Sequence, residues 1–191
     1  MAWVAAPVIF LAFLALAYVL EPYFAIILAG YGVMNLLYSV WLKNVVLLDV
    51  FIIAVGFVLR VVAGGQVISV SVSSWLLTCT IFIALFLALC KRRHELLLMN
   101  TASGQHRKTL QEYDTGFLDQ MISVVTGLTV MSYALYTMDP ETMERFGTPH
   151  LIFTVPLVLY GVFRYLYLVH RKDRGGSPAR ILLTDVPLII T

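Results

Sequence analysis

Charge is scarce in this chain. Asp, Glu, Lys and Arg make up 13% of its 191 residues, and the formal net charge is only +2. So few charges, gathered near the ends of apolar runs, give no footing for a nucleic-acid partner. Cysteine is nearly absent as well. Cys79 and Cys90 fall in one apolar run without CxxC spacing, which leaves no disulfide framework and no thiolate metal site and predicts two free thiols. His94, His106, His150 and His170 form neither HxxxH nor HExxH, so a zinc or haem centre is not expected. No Walker loop, GxGxxG or GxSxG occurs, which removes nucleotide and hydrolase chemistry of the soluble type. Met1 is followed by Ala-Trp-Val-Ala-Ala with no basic stretch, so the first apolar run reads as a membrane segment and not as a cleavable signal.

What is abundant is hydrocarbon. Apolar residues make up 60% of the chain, in runs approaching the roughly 20 residues an α-helix needs to cross about 30 Å of lipid. Six spans are expected, at 3–20, 22–42, 45–63, 72–90, 117–138 and 151–170. Backbone amides in lipid must bond within their own segment, so the fold class is all-α, a polytopic transmembrane helical bundle. Pro22, Gly64-Gly65, Asp139-Pro140 and Pro149 mark the turns, and Pro156 is placed to kink the last span. The tail "ARILLTDVPLIIT" is apolar but too short to cross. The whole, residues 1–191, reads as one transmembrane domain and as a portion of a longer bundle.

Sidedness follows from the cations. If the spans alternate, one side receives Lys43, Lys91, Arg92, Arg93, Arg107, Lys108, Arg171, Lys172, Arg174 and Arg180, ten of the thirteen Lys and Arg residues. The other receives Arg145 with Glu21, Asp139, Glu141 and Glu144, and Arg60 and Arg164 lie within spans. The basic side is therefore expected to be cytoplasmic. A long polar connection, 91–116, carries a weak helical period in Leu110, Tyr113 and Phe117, suited to an interfacial lid.

Candidate functional residues collect on that basic side. Tyr38 and Lys43 surround the break after the second span, where Tyr38 reads as part of the interfacial aromatic belt and Lys43 as a positive-inside anchor. Asp49 lies one turn inside the third span, where a carboxylate is costly unless it meets a partner or a polar cavity. In "KRRHEL", Lys91 and Arg92 stand four and three residues before Glu95, on one helix face. Such a group suits either a positive-inside anchor or a site for phosphate, with Arg as a planar fork and Lys as a point charge. Arg93 and His94 read as anchors, and Arg60 as a structural cation that snorkels or pairs internally. A Mg²⁺ ion held by one or two carboxylates and substrate phosphates is compatible with Asp49 and Glu95.

Taken in order, "YSVWLK" at 38–43, "LRVVAGG" at 59–65, "KRRHEL" at 91–96, "HRKTLQEY" at 106–113 and "FRYLYLV" at 163–169 resemble the UbiA superfamily of intramembrane prenyltransferases. Within it they are most similar to the polyprenyl-phosphate phosphoribosyltransferase branch, the decaprenyl-phosphate phosphoribose synthases. The resemblance implies a ring of helices around a cavity open to the cytoplasm of a bacterial plasma membrane, with Mg²⁺ as cofactor. It implies phosphoribosyl diphosphate and a polyprenyl phosphate as partners, as in cell wall biosynthesis, and leaves a homo-oligomer open. Carried over by position, Tyr38, Lys43 and Glu95 would be catalytic, and Lys43, Lys91, Arg92, Arg107 and Tyr113 would bind phosphate. Asp49 and Glu95 would serve the metal. At 91–95 the aromatic prenyltransferases carry DxxxD, and this chain carries Lys-Arg-Arg-His-Glu. The family's first motif, NDxxDxxxD, has no counterpart here. Two alternatives stand beside this reading: a UbiA-type prenyltransferase with an aromatic or other acceptor, and a non-catalytic membrane fragment or transporter-like protein.

Overall fold

The chain is described here by a computed structural model, which covers residues 2–101, 112–171 and 178–191. Every regular element among the described residues is helical. Helices α1 (Ala2–Leu20) and α2 (Pro22–Val40) are joined at Glu21, and Pro22 opens α2 where a missing N–H costs nothing. A 3₁₀ turn, Leu42–Asn44, leads to α3 (Leu48–Val67). After a short turn come α4 (Ser74–Thr101) and then α5 (Thr115–Met138), which Asp114 caps by accepting from the Gly116 and Phe117 N–H groups. A short α6 (Pro140–Phe146) ends on Gly147 in the left-handed conformation, at φ 65°. The 3₁₀ turn His150–Thr154 runs into α7 (Val155–Arg171), and the tail folds as α8 (Pro178–Thr184) and α9 (Val186–Ile190).

Five helical stretches among the described residues are long and apolar enough to cross a membrane: Pro22–Val40, Leu48–Val67, Ser74–Met99, Thr115–Met138 and His150–His170. The chain is an integral membrane protein with an all-helical bundle. The first expected span forms α1, over the residues anticipated. Two expectations are refined. The fourth helix continues past residue 90 to Thr101, so α4, at about 1.5 Å per residue, reaches about 42 Å and overruns the hydrocarbon. Pro156 does not kink a continuous span; it is the second residue of α7, where the fixed φ of proline fits a first turn.

Helix α4 is the centre, packed against α3 on one side and α5 on the other. In lipid, apolar side chains gain little by leaving one hydrocarbon for another, so close packing and polar contacts hold helices together. Small residues allow the close approach: Ala54 on α3 and Ala84 and Ala88 on α4 are all buried. Phe86, Leu118, Ile122 and Leu168 fill the layer around them, and the Phe86 and Tyr165 rings meet at 5.4 Å in a tilted pair. At the α3–α4 turn, Gly65 is required by contact, since a Cβ there would lie 2.4 Å from Val72 Cγ2 and 3.0 Å from the Val70 carbonyl oxygen. Antiparallel packing brings the start of α3, the end of α4 and the start of α5 to one end of the bundle.

The tail turns back on α7. Asp185 caps α9 by accepting from the Leu188 N–H, and it receives Arg164 Nε and Nη2 at 3.1 and 3.0 Å. The intramembrane cation of α7 thereby gains a forked partner from the tail. Arg164→Ala is expected to loosen α8 and α9 and to lower stability, because the nearly buried Asp185 loses its forked cation. Thermal unfolding in detergent, combined with proteolysis near Asp185, checks this. Unchanged cleavage would mean that apolar contacts alone seat the tail.

Candidate functional site

The junction of α2 and α3 does not pass smoothly from one helix to the next. Leu47, just before α3, has φ 68° and ψ −43°, a region that L-residues rarely occupy and that typically costs about 1–3 kcal/mol. Something must hold it, and Tyr113 does: its hydroxyl accepts from the Leu47 N–H at 2.8 Å. The same hydroxyl donates to Asp49 Oδ1 at 2.8 Å, so one phenol uses both its acceptor and its donor. Burial pushes the Tyr113 phenol above its ordinary pKa, with the Leu47 N–H pulling the other way. Tyr113 therefore stays protonated, and a donor to Asp49, through the physiological range.

Asp49 is fully buried in the first turn of α3, where a carboxylate also suits the helix dipole. Its Oδ2 lies 3.1 Å from Arg92 Nε, an ion pair set off the line of a hydrogen bond. Arg92 is as enclosed, at 2% exposure. Helix periodicity explains the rest of its surroundings. Glu95 stands three residues on and accepts from Arg92 Nη1, while Lys91 Nζ lies 3.9 Å from Glu95 Oε1 with its side chain about half exposed. One buried guanidinium thus bridges a carboxylate of α3 to a carboxylate of its own helix. Removing two charges from water costs several kcal/mol per ion, offset here by the short contacts and the Tyr113 bond.

A second set of charges ties the helices beside it. Arg93 Nε donates to Asp119 of α5 at 2.6 Å, and His170 Nε2 of α7 reaches the same oxygen at 3.2 Å. Arg93, expected as a plain anchor, is therefore a strut from α4 to α5 and α7.

An apolar groove of about 360 Å³ opens beside the cluster, lined by Leu47, Phe51, Leu85, Leu89, Phe117 and Met121. Leu85, Leu89 and Arg92 follow one another at four and three residues, so they share a face of α4. Of the expected site residues, Asp49, Lys91, Arg92, Glu95 and Tyr113 meet in this network. Lys43 is half-buried in the 3₁₀ turn before α3. Tyr38 instead lines a cavity between α2 and α3. Arg107 lies outside the described residues. Among the described residues no three His, Cys, Asp or Glu side chains group to hold a metal.

The Asp49–Arg92 pair was not readable from the chain, because its members are 43 positions apart. Nor was the role of Tyr113 as a clasp on Leu47, since nothing in "NVVLLDV" signals a positive φ. The partner of Arg93 had a weak signal, Asp119 one turn inside an otherwise apolar helix.

Replacing one member of the buried pair strands the other. Asp49→Leu and Arg92→Leu are each expected to cost about 3–5 kcal/mol, and the double replacement less than their sum because no buried charge is left alone. Thermal unfolding of the three variants in detergent tests this. Additive losses would show that the pair is not coupled.

No family model matches the chain. Over 162 residues it is 32% identical to the decaprenyl-phosphate phosphoribosyltransferase of Corynebacterium glutamicum, covering 84% of this chain and 48% of that protein. Proteins of the same name from Mycolicibacterium smegmatis and Mycobacterium tuberculosis are each 28% identical, over 198 and 187 residues, covering 97% of this chain and 60% of theirs. The chain spans about half to three-fifths of the length of these curated relatives. Its buried cation between two carboxylates stands on "KRRHEL", and the likeness to these decaprenyl-phosphate phosphoribosyltransferases extends along most of the chain.

Proposed function

We propose that this chain serves an intramembrane transferase that moves a 5-phosphoribosyl group from phosphoribosyl diphosphate to a polyprenyl phosphate. The observation that carries this reading is the apolar groove lying beside the Lys91–Arg92–Glu95 cluster. An apolar chain and the phosphate it bears need adjoining surfaces of those two kinds, and the names of the relatives point to the same lipid class. In the reaction an oxygen of the lipid phosphate attacks C1 of the ribose, and the bond from C1 to diphosphate breaks. The phosphate is already an anion at neutral pH, so no strong general base is needed and positioning carries most of the rate.

Charge balance assigns the roles. Asp49, Arg92, Glu95 and Lys91 sum to zero, so this cluster alone does not attract an anion. Lys43, half-buried at the same end of the bundle, adds positive charge there, and the resemblance assigns Arg107 the same part. Lys91, the exposed member, contacts phosphate directly, and Arg92, enclosed between Asp49 and Glu95, adds its charge from behind them. Tyr38 donates to a phosphate oxygen.

Mg²⁺ fits Glu95 better than Asp49. Glu95 keeps 28% of its side chain exposed, whereas Asp49 is enclosed and gives its oxygens to Tyr113 and Arg92. In this reading Glu95, with the substrate phosphates, would hold the ion, and Asp49 would position Arg92 in place of ligating metal. When bound, Mg²⁺ would neutralise charge developing on the departing diphosphate. The site faces the cytoplasm, where the basic ends lie.

Lys43→Ala and Glu95→Ala are each expected to lower phosphoribosyl transfer at least tenfold, the range for losing a charge placed at the reacting groups. The assay follows label from phosphoribosyl diphosphate into polyprenyl phosphate in membranes carrying the chain, at matched levels of folded protein. Equal rates would reduce both residues to anchors. Prenyl transfer from a polyprenyl diphosphate, with no phosphoribosyl transfer, would favour the aromatic-acceptor reading instead.

A further inference from the structure

One intramembrane cation is left out of the cluster above. Arg60 lies twelve residues into α3, about 18 Å along the helix from Leu48, in the far half of that span with its side chain exposed on the helix surface. Among the described residues no carboxylate lies within 4 Å of it. Its one hydrogen bond is from Nη2 to the Tyr31 hydroxyl of α2, and its guanidinium stands 5.3 Å from the Tyr31 ring centroid and 5.1 Å from that of Phe57. A guanidinium has five N–H donors. Four are left without a hydrogen-bond partner among the described residues, in a medium where an unmatched donor is costly.

The surroundings are built to match them. A cavity of about 100 Å³ runs between α2 and α3, lined on α2 by Tyr31, Asn35 and Tyr38 and on α3 by Gly56 and Arg60. Tyr31, Asn35 and Tyr38 follow at four and three residues, so they form one polar stripe down an otherwise apolar helix. The stripe ends at Tyr38, two residues from the end of α2 on the basic side. Side chains of a helix lean toward its N-terminus. Arg60 therefore leans back over Gly56 toward that same mouth, and Gly56 leaves the room: a Cβ there would meet the flexible end of Met34 at 3.3 Å and the Tyr31 ring at 3.6 Å. Because the Tyr31 hydroxyl accepts from Arg60, its own proton is free to be donated. At about 30 Å³ per water, the slot holds roughly three waters or one compact oxyanion, and no sugar.

We propose that the α2–α3 slot binds a single phosphate group, with Arg60 as its cation and the Tyr31 hydroxyl as a second donor. Phosphate as the ligand rests on the transferase reading above; an oxyanion site as such follows from the donors alone. Arg60, read from sequence as a structural cation, then becomes a substrate-binding residue. The phosphate is either a free anion or the head of a polyprenyl phosphate, since both present the same tetrahedral oxygens.

The test is ligand-induced thermal stabilisation of the whole chain in detergent, titrated with inorganic phosphate and, separately, with farnesyl phosphate. It is done in the unaltered chain and in a Lys91→Ala background, so that the part dependent on Arg60 is isolated. Arg60→Gln is expected to weaken binding of at least one probe tenfold or more, and Arg60→Lys less, because charge survives while the fork is lost. Gly56→Leu, which fills the slot and keeps Arg60, is expected to act like Arg60→Gln. It carries the test should Arg60→Gln fail to fold. Equal effects on both probes assign the slot to a free phosphate, and an effect on farnesyl phosphate alone assigns it to the lipid head. If neither probe's affinity changes in Arg60→Gln or Gly56→Leu, the slot is not a phosphate site. Arg60-dependent binding without phosphoribosyl transfer would sink the transferase reading and leave the slot; transfer with affinities indifferent to Arg60 would do the reverse.

Discussion

The ion pair between Asp49 and Arg92 is the constraint on which this end of the bundle depends. Both groups are removed from water, and each is costly there without the other. Their contact fixes the start of α3 against the end of α4. Through Tyr113 it also fixes the approach to α5, and through Leu47 it holds a backbone conformation that would otherwise relax. Glu95 and Lys91 are placed as a consequence, since they ride on the helix that Arg92 anchors.

Two modes of holding divide the molecule. Within the hydrocarbon, α3, α4 and α5 touch through alanines and close-packed Phe86, Leu118 and Ile122. Several threonine hydroxyls there are satisfied within their own helix, as Thr126 and Thr129 bond the carbonyls of Ile122 and Val125. At the basic end, charged side chains take over and join different helices: Arg92 with Asp49, and Arg93 with Asp119 and His170. Apolar layers there could slide, whereas a forked ion pair sets register.

Much of this was legible in the sequence, for physical reasons. Lipid allows only helices, so long apolar runs, prolines and paired glycines give the spans closely, and the i, i+3 and i, i+4 rule gives the Lys91–Arg92–Glu95 face. Asp49 announced that it needed a partner through its cost. Which partner it took was not legible, because pairing across 43 positions depends on how α3 and α4 pack. The length of α4 was underestimated because hydropathy ends at Cys90 while hydrogen bonding within the helix does not. Arg60 reads from sequence as a cation that snorkels or pairs internally; that Tyr31, Asn35 and Tyr38 stand opposite it was not legible, because it depends on how α2 and α3 pack.

That α4 runs unbroken from the packed core into the charged motif means that the charges are positioned by counting. Arg92 faces Asp49 because it stands seven residues after Leu85 and three after Leu89, on one stripe of a single rod. Each residue turns an α-helix by about 100°. Adding or deleting one residue between Leu89 and Arg92 would swing the guanidinium away from its carboxylate, whatever the composition. Side chains along this stretch are open to exchange of like for like, but the number of residues between groove and charge is a dimension of the site.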